Sequence, residues 1–172
     1  VKAEGEGWFA NADYTQFIGI DSAGGRKEYI MFDSDGPGAI VRWWMTFAGE
    51  GSYDGIVRVY IDNLEKPVIE DNILKVISGQ LLAGEPLSTS VSPITNLYQR
   101  GQNLYLPIPY SRHCKITYEC NAIKITSKSR KPSVYYNICY RQYEKGTSVI
   151  SFTMKELKNA EELIKSVNIT LL

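Results

Sequence analysis

The chain has 172 residues, 44% of them hydrophobic, and its 19 basic residues against 19 acidic ones leave no formal net charge. That length fills one ordinary core without metals or disulfide staples. The lack of a basic excess argues against a domain built to bind nucleic acid, and no apolar stretch approaches the ~20 residues needed to cross a bilayer.

The chain opens at Val1, with neither a methionine nor a charged-then-apolar signal segment, and so reads as a processed protein or an excised fragment. Short runs rich in β-branched and aromatic residues then recur between Gly, Pro, Asn and Asp clusters, which is an all-β pattern. Gly24-Gly25 precedes a run from Lys27 to Phe32, and Asp33-Ser34-Asp35-Gly36-Pro37-Gly38 predicts a turn into a long central strand over Ala39 to Phe47. In Gly55 to Asp62, Val57, Val59 and Ile61 fall on one face and Ile56, Arg58, Tyr60 and Asp62 on the other, a period of two. Asp62-Asn63 suits a tight turn. The pattern weakens from Pro67 to Ile77, and Ser78 to Arg100 reads as a long excursion.

Strands resume at Asn103 to Leu106, His113 to Cys120, Ala122 to Thr126, Ser133 to Tyr143 and Thr147 to Phe152. Lys128-Ser129-Arg130-Lys131 between them reads as a solvated turn. Thr153-Met154-Lys155-Glu156 forms a capping box, predicting a helix to about Asn168 with Leu157, Ala160, Ile164 and Val167 on its apolar stripe. The expected fold is an antiparallel jelly-roll β-sandwich over residues 1–152, with one C-terminal α-helix over 153–172 serving as a connector toward a further domain.

Little in the chain carries chemistry. Its one histidine, His113, has neither a G-x-S-x-G elbow nor histidine partners for a metal, so it reads as structural or surface. Cys114, Cys120 and Cys139 form no C-x-x-C pair and read as buried thiols. Glycosidic cleavage needs two carboxylates set across the bond. Glu4, Glu6, Asp13, Glu28, Asp33, Asp35, Glu50, Asp54 and Asp62 are all available, mostly beside glycines where turn chemistry accounts for them, and no pair stands out. Gly5-Glu6-Gly7 and Gly49-Glu50-Gly51 do not lead into a helix with a Lys-Ser/Thr ending, and so are not phosphate loops.

The aromatics say more: Trp8, Trp43, Trp44, Tyr53, Tyr105, Tyr110, Tyr135, Tyr136, Tyr140 and Tyr143 provide faces on which sugar rings stack. Of the adjacent Trp43 and Trp44, one must point into the core and the other out. Tyr136, Ile138 and Tyr140 share one face of their strand, and Tyr135, Asn137, Cys139 and Arg141 the other.

Four segments, in order, carry a family resemblance: Asp33-Ser34-Asp35-Gly36-Pro37-Gly38-Ala39-Ile40-Val41-Arg42-Trp43-Trp44, Val57-Arg58-Val59-Tyr60-Ile61-Asp62, Asn103-Leu104-Tyr105-Leu106-Pro107-Ile108-Pro109-Tyr110 and Tyr135-Tyr136-Asn137-Ile138-Cys139-Tyr140-Arg141. Together they resemble the domain of unknown function 2961 family, associated with glycoside hydrolase family 172, from about Trp8 to Phe152. The resemblance implies two successive jelly rolls, trimeric assembly and action on fructose- or arabinose-type furanosides. It also implies that the catalytic glutamates lie in the second half, in segments like Trp-Gly-Glu-Gly-Asp and Gly-Thr-Glu-Asp-Tyr, which do not occur here. Accordingly no catalytic residue, metal or cofactor is assigned. Arg42, Trp43, Trp44, Arg58 and Tyr110 are the side chains assigned to carbohydrate contact. The alternative is a non-catalytic carbohydrate-binding or trimerisation module. Either reading places the protein in a secreted or periplasmic setting.

Overall fold

Alternation along each strand sorts its side chains between a buried face and an outer face. The computed structural model describes residues 17–92, 94–123 and 133–172. Trp8, Gly5-Glu6-Gly7, Glu4, Asp13, the Lys128–Lys131 cluster and most of the strand expected at 122–126 lie outside the described residues.

Ten strands are described: β1 (Gly19–Asp21), β2 (Glu28–Asp35), β3 (Gly38–Ala48), β4 (Ile56–Ile61), β5 (Ile69–Asn72), β6 (Ser88–Val91), β7 (Gly101–Leu104), β8 (Ile108–Tyr110), β9 (His113–Glu119) and β10 (Ser133–Gln142). One antiparallel sheet runs β1-β2-β9-β4-β5, and the other runs β10-β3-β7-β6 with β8 also paired to β3. The pairing of β2 with β9 in the first sheet continues as β3 with β8 in the second. A two-stranded ribbon therefore bends over the sandwich edge at Gly36-Pro37 and Ser111-Arg112, which is the roll-up of a jelly roll.

The Gly-Pro-Gly turn has a packing cause. A Cβ on Gly36 would meet Tyr110 Cδ2 at 2.9 Å, and one on Gly38 would meet the Tyr110 hydroxyl at 2.5 Å and the Arg141 carbonyl at 2.7 Å. The fully buried Tyr110 ring thus occupies the space that side chains at 36 and 38 would need. Asp62, at φ 57°, fastens the other strand of the bend. Its carboxylate accepts from the backbone N–H groups of Ser111 (3.1 Å), Arg112 (2.7 Å) and His113 (3.3 Å), and from the hydroxyls of Ser111 (2.8 Å) and Ser151 (2.5 Å).

Val57, Val59 and Ile61 are all buried, as their period of two predicts, against a core that includes Ile40, Trp43, Met45, Leu104, Ile116 and Tyr118. Each such aliphatic side chain withdrawn from water contributes roughly 1.5–3 kcal/mol.

Several elements depart from expectation. The weak stretch after Pro67 holds β5 and a short helix, α1 (Ile73–Ile77), whose N-cap Asn72 accepts the Leu74 N–H at 2.9 Å. The excursion from Ser78 to Arg100 contains β6, an edge strand on β7. Thr147 to Phe152 is not a strand. Phe152 donates its N–H to Pro109 O (2.8 Å), but Pro109 has no N–H to return, and Ile150 stands 78% exposed. The C-terminal helix comes in two pieces, α2 (Met154–Asn159) and α3 (Glu161–Leu171), because Ala160 leaves helical geometry at φ −89°, ψ 5°. Thr153 caps α2 through the Glu156 N–H (3.0 Å). Leu157 and Ile164 pack on the core, and Asn168 staples α3 to the loop between α1 and β6 through Ala83 O (3.0 Å) and the Leu87 N–H (3.2 Å).

Candidate functional site

The five side chains assigned from sequence to carbohydrate contact do not converge. Trp43 and Tyr110 are 0% exposed and face the core, so neither has a surface to offer a ligand. Trp44 is the outward member of its pair, half-buried on the outer face of the second sheet, with its indole Nε1 lying close over Gly101. Arg42 shares that face, donating to Asn103 Oδ1 from Nη2 (2.9 Å) and Nε (3.2 Å), with its guanidinium 6.0 Å from the Tyr105 ring centroid. Arg58 lies on the opposite side of the sandwich.

Register brings a polar row across the outer face of the first sheet: Asp21 opposite Glu28, Thr117 opposite Arg58, and Arg58 opposite Glu70. Arg58 is only 4% exposed. Its Nε donates to Glu70 (2.8 Å) and its Nη1 to Glu119 (2.8 Å), and Nη1 also lies 3.3 Å from Glu28 Oε1. Glu28, 3% exposed, accepts from Thr117 Oγ1 (2.5 Å), Tyr60 OH (3.1 Å) and Arg26 Nε (3.0 Å). Burial pushes the Glu28 carboxyl up, yet the Thr117 and Arg26 hydrogen bonds, the Arg58 charge and the Tyr60 hydroxyl together hold it below its ordinary value. Burial, then the neighbouring Glu28 charge, raise the Tyr60 phenol.

Above this row lies a cleft of ≈ 470 Å³ lined by Asp21, Arg26, Glu28, Tyr60, Glu65, His113 and Lys115, with Gly24, Asn63 and Leu64 at its wall. Lys115 pairs with Asp21 at 2.6 Å and sits 5.0 Å from the Tyr60 ring centroid. His113 Nε2 lies 2.7 Å from Asp33 Oδ1.

Of this cluster the sequence marked Arg58 as a contact residue and Glu28 as one carboxylate among nine. The outward placing of Arg58 and Tyr60 was readable from the alternation in β4. The roles of Glu70, Thr117 and Glu119 depend on pairing between separate strands, which no local pattern encodes, whereas Arg26 meets Glu28 only two residues away.

The profile of the GH172 first beta-sandwich domain matches residues 1–160 of the chain. The chain belongs to this glycoside hydrolase family. No curated protein matches it closely.

In this GH172 domain the two most heavily bonded carboxylates are poor candidates for glycosidic acid catalysis. A general acid needs a raised carboxyl value. Burial acts to raise Asp62, but its hydrogen bonds from Ser151, Arg112, Ser111 and His113 leave it lowered, as Glu28 is. Among the described residues no group of His, Cys, Asp and Glu side chains is placed to hold a metal ion. The thiol of Cys114 is pushed up to about 12 by burial, so it is not a nucleophile. Among the described helices, none is long and apolar enough to cross a membrane.

Proposed function

We propose that this GH172 domain is the non-catalytic N-terminal jelly roll of an enzyme acting on fructose- or arabinose-type furanosidic glycans, its catalytic glutamates carried by a second sandwich. The observation behind this reading is the commitment of its embedded carboxylates. Glu28 is tied to Arg26 and Arg58, and Asp62 is saturated by five donors. Neither is free to protonate a leaving oxygen. The domain then supplies scaffold, the α2–α3 link toward the second sandwich, a surface for assembly into a trimer, and side chains that meet carbohydrate. Its setting is secreted or periplasmic. The test is a panel of aryl furanosides and aryl pyranosides given to the full gene product: release from arabino- or fructofuranosides supports the reading, and release from pyranosides alone overturns it.

A second reading, as a carbohydrate-binding module, is favoured by one patch. Half-buried Trp44, Arg42 and the 40% exposed Tyr105 lie on the outer side of the second sheet. Glycan binding by the chain that disappears in Trp44→Ala would support it.

A further inference from the structure

We infer that the cleft on the outer face of the first sheet is a binding site for a neutral saccharide, with Arg26 as its principal donor. This rests on the carbohydrate-active reading above but places the ligand on the sheet opposite Trp44, where Arg58 alone of the five side chains assigned from sequence lies. Three features argue for it. The cleft, at ≈ 470 Å³, is within the range of about 300–1,000 Å³ that encloses small ligands.

Its donors are also held in place from behind. Arg26 uses its Nε on Glu28, and Glu28 is fixed in turn by Thr117, Tyr60 and Arg58. A guanidinium gripped through Nε, with Tyr60 beside it, presents the rest of its terminal N–H donors to hydroxyl oxygens in a fixed planar fork. The Lys115 ammonium is likewise oriented by Asp21 and the Tyr60 ring. Locking the donors before the ligand arrives removes part of the ordering cost of binding.

The charge balance then selects the ligand. Carboxylates of Asp21, Glu28 and Glu65 outnumber the cations of Arg26 and Lys115 on the lining, so a phosphate or uronate meets net repulsion. A polyol meets alternating donors and acceptors at no such cost. Arg58 lies beneath the lining and is a positioning residue, acting through Glu28.

The experiment is an NMR titration of the 172-residue chain with a neutral arabino-oligosaccharide, a neutral fructo-oligosaccharide and an oligogalacturonate. Amide shifts should move at residues 21–28, 60–65 and 113–115 with at least one neutral sugar, and stay still with the uronate. Arg26→Ala should weaken binding about tenfold, the loss of a hydrogen bond from a charged donor. Arg26→Ala also takes one bond from Glu28, which keeps Thr117, Tyr60 and Arg58, so the variant should melt somewhat lower but still fold, with the strand amides of β3 and β4 unmoved in its spectrum. Glu65→Lys, an exposed change on the lining, should admit the uronate. No shift with either neutral sugar, shifts confined to the Trp44 face, or unaltered binding in Arg26→Ala would each overturn the assignment. The outcomes separate from those of the functional reading. A gene product that cleaves furanosides while the chain binds no sugar here defeats only the cleft, and a chain that binds here while the gene product cleaves only pyranosides defeats only the reading.

Discussion

Arg58 is where removing one side chain should cost most. Without its guanidinium, Glu28 remains buried near Glu119 and loses a buried charge partner, and breaking a buried charge cluster from one side typically costs about 3–5 kcal/mol. Arg58→Ala should therefore lose stability of that order in urea denaturation. Arg58→Lys should recover only part of it, since a single ammonium cannot present a fork to Glu28, Glu70 and Glu119 together. Glu28 also sets a pH dependence. Its folded value lies below the ordinary 4.5, so its contribution is complete above that value and is lost as pH falls through the lower folded one. Asp62, lowered from 3.8, acts in the same sense. Stability should hold from neutrality to about pH 4.5 and then fall, and Glu28→Gln should be less stable at pH 7 with a shallower acid limb; parallel acid limbs for variant and wild type would refute this origin. Period two revealed that Arg58 faces outward. What it meets there was not legible, because Glu28, Glu70 and Glu119 arrive from strands 12 to 61 residues away in the chain.

The jelly-roll bend and the C-terminal staple make predictions about whole elements. Gly38→Ala puts a methyl group against the Tyr110 hydroxyl and the Arg141 carbonyl, and overpacking of this kind costs about 1–3 kcal/mol. The loss should be visible as a lower melting temperature. Thr153→Ala removes the α2 cap, worth about 1 kcal/mol. An 11-residue helix such as α3 is marginal without tertiary contacts, so Asn168→Ala should raise amide exchange through 161–171 while leaving β3 and β4 protected. If that exchange does not change, Leu157 and Ile164 alone anchor the helix. The strands read in advance are β3, β4, β9 and β10, whose alternation is sustained, together with most of β2, which runs on to Asp35 through residues read as a turn, and the end of β7. The ones missed had physical reasons to be: α1 has five residues, β8 contains a proline, and β6 is four residues with two serines and a threonine; the strand expected at 147–152 does not form because its partner edge lacks the N–H to hold it.

For the whole molecule, membership of the GH172 family is the ground on which we propose a division of labour, with fold and ligand contacts in this sandwich and bond cleavage elsewhere. The family was legible from four ordered segments, since the Gly-Pro-Gly turn and the Leu-Pro-Ile-Pro-Tyr run both serve the same bend around Tyr110. Residue assignment fared differently, because conspicuous aromatics are as useful to a core as to a ligand, and Trp43 and Tyr110 went to the core. The most direct measurement is sugar release from one aryl furanoside by the 172-residue chain and by the full gene product, side by side at equal concentration. Turnover by the gene product with none by the chain is the predicted result; turnover by the chain alone would contradict the account and return the search for a catalytic pair to the carboxylates of this domain.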